Sequence, residues 1–200
     1  MAYKVLFNTL DNDQAGRLFR ELTETGHICL EAKNGMDQCR DGIDLLILCI
    51  PKGKERTDSQ QTKTIREELD QELLLDELSE KVNSVLQTAR EAIPYMRQGS
   101  LRRLALLTDG TSSIRESREE TDYAFHMSQA AANMIMKILF NTYRPEGFTF
   151  RCYAEDDGIR GIGALEYLLT EQSYIESDDY IHSDENRLVL RDGYLRELSW

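Results

Sequence analysis

The sequence predicts an α/β protein, a Rossmann-like three-layer sandwich whose mostly parallel sheet carries helices on both faces. Apolar strand-like runs alternate with amphipathic helical stretches along most of the chain. Residues 43–50 form an unbroken apolar segment of the kind found in a strand buried on both faces, and Pro51 ends it.

The elements follow in order. Residues 3–8 read as a first strand, and residues 14–25, with Ala15, Leu18, Phe19 and Leu22 at helical spacing, as the helix after it. Residues 28–32 give a second strand and Gly35 a turn before the buried run. Residues 52–64 are polar and mixed in charge, a surface loop. Between residues 65 and 96 the positions Leu69, Leu73, Leu78, Val82, Val85, Leu86, Ala89 and Ile93 recur every three or four residues. They predict one long amphipathic helix, or two broken near Glu80, stopped by Gly99. A strand over 101–108, a helix over 119–143 and a strand over 148–154 repeat the alternation. Residues 159–170 read as helical and 171–185 as an acidic loop. Residues 187–190 read as a last strand, and 194–200 as a tail.

Composition excludes several classes. The 200 residues, 40% apolar and 30% charged, suit a single domain spanning 1–200. With 36 acidic against 24 basic side chains, the net charge of −12 repels phosphate backbones and anionic lipid, so nucleic acid is not an expected partner. No apolar stretch approaches the roughly 20 residues of a membrane span, and the first residues run straight into a strand pattern, so a cytoplasmic protein is expected. Cys29, Cys39, Cys49 and Cys152 lack the paired spacing of a zinc site and are read as reduced packing residues.

The order and local texture of these segments resemble the short-chain dehydrogenases and reductases, which wind a Rossmann domain around a nicotinamide cofactor. Ile43-Asp44-Leu45-Leu46-Ile47 is similar to the strand before that family's Asn-Asn-Ala-Gly motif. Val82-Asn83 and the run from Ala92 to Gly99 resemble its long helix. Residues 103–108 resemble the strand that carries its catalytic serine. The segment Met127-Ser128-Gln129-Ala130-Ala131-Ala132-Asn133-Met134 looks like its active-site helix, and Asp192-Gly193 with Trp200 like its usual ending. The connection between the second and third strands is trimmed, lacking the helix, edge strand and helix that the family fits there.

The chemistry of that family depends on residues that differ here. Its glycine-rich turn lets a pyrophosphate approach the backbone at a helix N-terminus, whereas this chain has no glycine before Gly16 and puts Asp11 and Asp13 at that place. At an effective dielectric near 20, like charges about 4 Å apart repel by roughly 4 kcal/mol. The Asn-Asn-Ala-Gly position reads Leu48-Cys49-Ile50-Pro51, and Tyr153-Ala154-Glu155-Asp156 lacks the Pro-Gly after the next strand. The Tyr-x-x-x-Lys pair, in which lysine tunes a tyrosine one turn away, falls on Phe125 and Gln129. None of the nine tyrosines has a lysine four positions on. The catalytic serine position falls near Thr108-Asp109, and Asn83 matches the helix asparagine.

The expected family-equivalent positions are therefore Asn83, Asp109, Phe125 and Gln129, with no functional nicotinamide site, no metal and no cofactor. The expected role is a binding, scaffold or regulatory protein. It would form a homodimer, or a heteromer with a related subunit, through the long helices, with a vestigial crevice for a small ligand. The competing reading is an oxidoreductase or lyase with acid–base chemistry rebuilt around Asn83, Asp109 and His126, with Tyr123 as a further candidate. Glu31 stands where an acid would hold a ribose hydroxyl in an NAD enzyme. The group Asp156, Asp157, Asp178, Asp179, Asp184 and Glu185 reads as solvated surface, since it lacks a calcium loop's spacing. His27, His126 and His182 are scattered, with His126 read first as a surface or half-buried helix histidine, and Thr111-Ser112-Ser113 as a loop cap.

Overall fold

The computed structural model describes residues 2–52, 64–66, 70–155, 164–170 and 187–200. The sequence expectations for residues 53–63, 159–163 and 171–185 lie outside them. In chain order the elements are β1 (Lys4–Phe7), α1 (Asp13–Glu24), β2 (Ile28–Glu31), the short α2 (Ala32–Gly35), β3 (Leu45–Cys49), α3 (Gln71–Asp76) and α4 (Asn83–Met96). Then come β4 (Arg103–Asp109), α5 (Tyr123–Tyr143), β5 (Thr149–Glu155), α6 (Ala164–Leu169), β6 (Leu190–Arg191) and β7 (Glu197–Leu198). They build a seven-stranded sheet of order β2-β1-β3-β4-β5-β6-β7, parallel except for the antiparallel β7.

All five residues of β3 are buried, as its unbroken apolar run requires. Alternation along the strands divides the core into two layers. Leu6, Leu46, Leu48, Leu104, Leu106, Phe150 and Cys152 pack on one face with Val85, Ala89, Ile93, Met136 and Phe140 of α4 and α5. Val5, Phe7, Leu45, Ile47, Ala105, Leu107 and Tyr153 pack on the other with Leu18 and Leu22 of α1 and Tyr167 and Leu168 of α6. Each such large side chain contributes about 1.5–3 kcal/mol on burial.

Helix α1 begins where the Asn12 side chain accepts from the Ala15 N–H, and its buried Ala15, Leu18 and Leu22 recur at three and four residues. Between β2 and β3 the chain makes only α2 and a 3₁₀ turn, Met36–Cys39, so β2 stands at the sheet edge. Among the described residues no helix is long and apolar enough to cross a membrane.

Three element boundaries differ from the sequence reading. The helix expected over 65–96 starts at Gln71 and carries a π-helical turn, Glu77–Val82, where a break near Glu80 was one of two expectations. Pro94 sits inside α4 without ending it. Helix α5 starts at Tyr123 rather than residue 119, because Asp122 takes a left-handed conformation with φ 50°. The expected tail forms β7 instead. The buried Asp192 accepts from the Tyr194 and Arg196 N–H groups, and that turn folds residues 197–198 back on β6.

Two contacts at the N-terminal edge of the sheet set how the strands start. Asp44 accepts from the Lys4 N–H at 2.8 Å and from the Ser100 N–H and hydroxyl at 2.7 and 2.8 Å, tying β1, β3 and the approach to β4. Burial alone would raise its pKa, but the hydrogen bonds from Lys4, Ser100 and Leu101 outweigh it and hold the carboxyl below 3.8. Gly99 passes so close to β3 that a Cβ there would lie 1.9 Å from the Ile43 carbonyl oxygen.

Gly99→Ala should therefore lower unfolding stability by at least about 2 kcal/mol in urea titrations, because the clash is with backbone that cannot swing away. Asp44→Asn should cost about 1–2 kcal/mol at pH 7. Because the folded-state pKa of Asp44 is depressed, its contribution is present above pH 3.8 and is lost as pH falls through the folded value. The gap between wild type and variant should close on acidification in the same titrations.

Candidate functional site

In an open parallel sheet, ligands sit at the carboxyl ends of the strands, where the order reverses between β1 and β3. Here that region is laced by the chain's own side chains. The Asn8 amide brackets Cys49, donating to its carbonyl and accepting from its N–H, both at 2.9 Å. Asn12 donates to the Ile50 carbonyl at 3.0 Å while it caps α1. Gln14, in the first turn of α1, reaches the Thr108 carbonyl at the end of β4 at 3.0 Å. The Lys52 N–H donates to the Asp11 carbonyl at 2.7 Å, and the Lys52 ammonium pairs with Asp13 at 2.5 Å, holding that carboxyl below its ordinary value.

Glu31 is engaged as well. Its carboxylate accepts from the Leu10 N–H at 2.9 Å, so it braces the turn after β1. Gly16 makes no close approach, since a Cβ there would meet only the Leu10 carbonyl oxygen at 3.9 Å. Leu48, Cys49 and Ile50 are buried, and burial, with Asp11 nearby, pushes the Cys49 thiol up to about 12.

Sequence reasoning missed a buried ion pair beside this region. On the π-helical turn, the Lys81 ammonium donates to Glu77 Oε1 at 2.6 Å and to the Lys52 carbonyl at 2.7 Å, with both side chains buried. Glu77 Oε2 has no hydrogen-bond partner among the described residues. In sequence the pair looks like any exposed i,i+4 ion pair; only the neighbouring apolar positions Leu78 and Val82 hint at an inward face.

The four family-equivalent positions have different surroundings. Asn83 is exposed at the start of α4. Gln129 is buried, and its side-chain oxygen accepts from the Thr108 hydroxyl at 2.9 Å. Phe125 is half-buried, its ring edge-on to His126 with centroids 5.4 Å apart. Asp109 Oδ1 accepts from the Thr111 N–H at 2.8 Å and from the Thr111 hydroxyl, and Thr111 Oγ1 lies 2.8 Å from His126 Nδ1. Thus Asp109 and His126 are joined through Thr111, while Asn83, expected among them, is not. Tyr123 is outside that chain, its hydroxyl accepting from the Asp70 N–H at 2.7 Å.

Beside His126 lies a pocket of about 790 Å3, walled by the segment after β4, by α5 and by residues 64–66. Thr111–Ser113 do more than cap a loop here, because Ser112 also lines the pocket. His27 is structural, accepting from the Tyr3 N–H at 3.0 Å and stacking on that ring. Among the described residues no group of His, Cys, Asp and Glu could hold a metal. His182 and the candidate acids Asp156, Asp157, Asp178, Asp179, Asp184 and Glu185 lie outside those residues.

Among solved structures, the carbonyl reductase Sniffer of Caenorhabditis elegans matches with a TM-score of 0.68 at 12% identity, over 100% of both chains. A short-chain alcohol dehydrogenase of Burkholderia multivorans gives 0.68 at 14% identity, again over 100% of both chains. The fold is that of the short-chain dehydrogenases and reductases. A further short-chain dehydrogenase/reductase of Burkholderia multivorans, with bound NADP, gives 0.60 at 13%, over 99% of this chain and 100% of that one. In sequence, a segment of 63 residues is 38% identical to C-signal of Myxococcus xanthus, covering 32% of this chain and 38% of that protein. No family model matches the chain.

Iodoacetamide at pH 8 should leave Cys49 unmodified in the folded protein. Peptide mass spectrometry should find it alkylated only as urea unfolds the chain.

Proposed function

We propose that this protein is a short-chain dehydrogenase/reductase-like subunit that binds partners and does not turn over a nicotinamide cofactor. The observation that carries the reading is the bridge from Gln14 to the Thr108 carbonyl, which spans the cleft between β1 and β4 where a dinucleotide would lie in the family's pose. The residues present do not fit that group. Asp11 and Asp13 stand at the helix N-terminus that would receive a pyrophosphate, and Gly16 makes no close approach to neighbouring backbone. Gln129 and Phe125 supply neither a charge nor an ionisable proton where the family has lysine and tyrosine. The same bridges argue against a small ligand within the crevice itself. The partly similar relative is named for a signal rather than for a reductase, which suits the reading.

The surface for a partner is the outer side of α4 and α5. Leu86 is 45% exposed, and Met134 and Ile138, one turn apart on α5, are 61% and 55% exposed. Apolar side chains so placed are covered by a second copy, or by a related subunit presenting the same helices, in an isologous seam.

A second reading, an enzyme with a rebuilt site, is favoured by the Asp109–Thr111–His126 chain, which is an arrangement able to orient a general base. The reductases and dehydrogenases that share the fold also support an oxidoreductase.

The two readings separate in one assay. With NADH or NADPH and a panel of aldehydes and ketones, the purified protein should give no carbonyl-dependent loss of absorbance at about 340 nm. Turnover that His126→Phe abolishes would overturn the leading reading. Light scattering should show a species above the 23.1 kDa chain mass, which Met134→Asp with Ile138→Asp returns to monomer.

A further inference from the structure

We infer that the pocket beside His126 takes a small, neutral, amphipathic molecule bearing a hydroxyl group, such as an aliphatic alcohol, with His126 Nε2 accepting the ligand's O–H. This goes beyond the proposed function, since it requires neither a cofactor nor the helical seam.

The acceptor follows from counting protons. An ionised carboxylate only accepts, so the single hydroxyl hydrogen of Thr111 is directed to Asp109 Oδ1. Thr111 Oγ1 then faces His126 Nδ1 at 2.8 Å with lone pairs alone, and Nδ1 must be the nitrogen that carries the ring proton. Neutral His126 is thereby fixed as the Nδ1–H tautomer. Its Nε2 is left as a lone-pair acceptor with no protein partner among the described residues.

The apolar part of the ligand follows from exposure. Ile114 is 83% exposed, Ile65 61% and Met127 45%, and all three line this one concavity. They come from three separate segments, the turn after β4, residues 64–66 and α5, so their convergence is not the stripe of a single helix. A ligand body lying across them would remove that surface from water. The volume of about 790 Å3 is that of a small-molecule site.

Charge excludes one class. The charged lining residues are Arg66, Glu119 and Glu120, all exposed. Two carboxylates against one guanidinium, on a chain of net charge −12, disfavour an anionic ligand. Ser112 also lines the pocket, its hydroxyl buried and without a hydrogen-bond partner among the described residues. On α5 the lining residues Tyr123, His126, Met127 and Ala130 recur at three and four residues, while Gln129 is buried against Thr108.

The test uses the full chain, followed by proton–nitrogen NMR of the imidazole groups, with three probes of similar length: 1-octanol, its isomer methyl heptyl ether, which has no donor, and octanoate. The inference expects a Nδ1–H tautomer at His126 and saturable perturbation by octanol. The ether and octanoate should bind at least about tenfold more weakly, the scale of one hydrogen bond to an acceptor otherwise left unmet. His126→Phe should abolish the preference for alcohol over ether, while His126→Gln, which keeps an acceptor, should retain it. A Nε2–H tautomer, equal binding of alcohol and ether, or a preference that survives His126→Phe would overturn the inference. So would absence of saturation with all three probes, including the case in which Ile114→Asp converts a dimer to monomer and shows that a second copy fills the pocket. Cofactor titration does not enter these readouts, so this inference and the proposed function fail independently.

Discussion

The Asn8 side chain, bracketing the Cys49 backbone across the ends of β1 and β3, is the contact on which the rest of the strand-end region depends. A carboxamide offers a donor and an acceptor on one rigid plane, so it extends the strand pairing by one more rung with no backbone continuing the ladder. Beyond it the chain turns at Thr9 and Leu10, braced by Glu31. It enters α1 with Asn12 tied to Ile50 and Gln14 tied to Thr108. A glycine-rich turn leaves its N–H groups open toward a ligand. This turn directs polar groups back onto the sheet.

With that end laced, the polar chemistry of the neighbouring elements is rearranged. Gln129 fastens α5 to β4 through Thr108, and Lys81 fastens the π-helical turn to the carbonyl of Lys52. His126, one residue beyond the aromatic position that the family fills with tyrosine, takes up Thr111 and through it Asp109. A shift of one residue along a helix turns a side chain by about 100°, enough to carry it to a different face.

Much of this fold is legible in the sequence because its signals are local and strong. The run 43–50, the spacing of Ala15, Leu18 and Leu22, and the alternation of strand and helix each have one physical reading. The trimmed connection before β3 was also visible. The π-helical turn Glu77–Val82 holds an extra residue per turn. Helical periodicity counted from Leu69 therefore loses phase there, and the same shift hides the inward orientation of Glu77 and Lys81. The β6–β7 hairpin has strands of only two residues each, too short to show alternation, and its turn is held by the Asp192 carboxylate accepting from backbone N–H groups. Glu31 was read for its position alone, and its partner, the Leu10 N–H, is a backbone group that no side-chain pattern reveals.

The central claim is that the chain's own side chains occupy the interactions a dinucleotide would need. Its most direct test is an equilibrium titration of the purified protein with NADPH and NADH up to about millimolar concentration, followed by nicotinamide fluorescence and calorimetry. The account predicts no saturable binding and no heat beyond dilution. A micromolar dissociation constant for either cofactor, weakened by substitutions at Asn12 and Gln14, would contradict it and restore the crevice as a working oxidoreductase site.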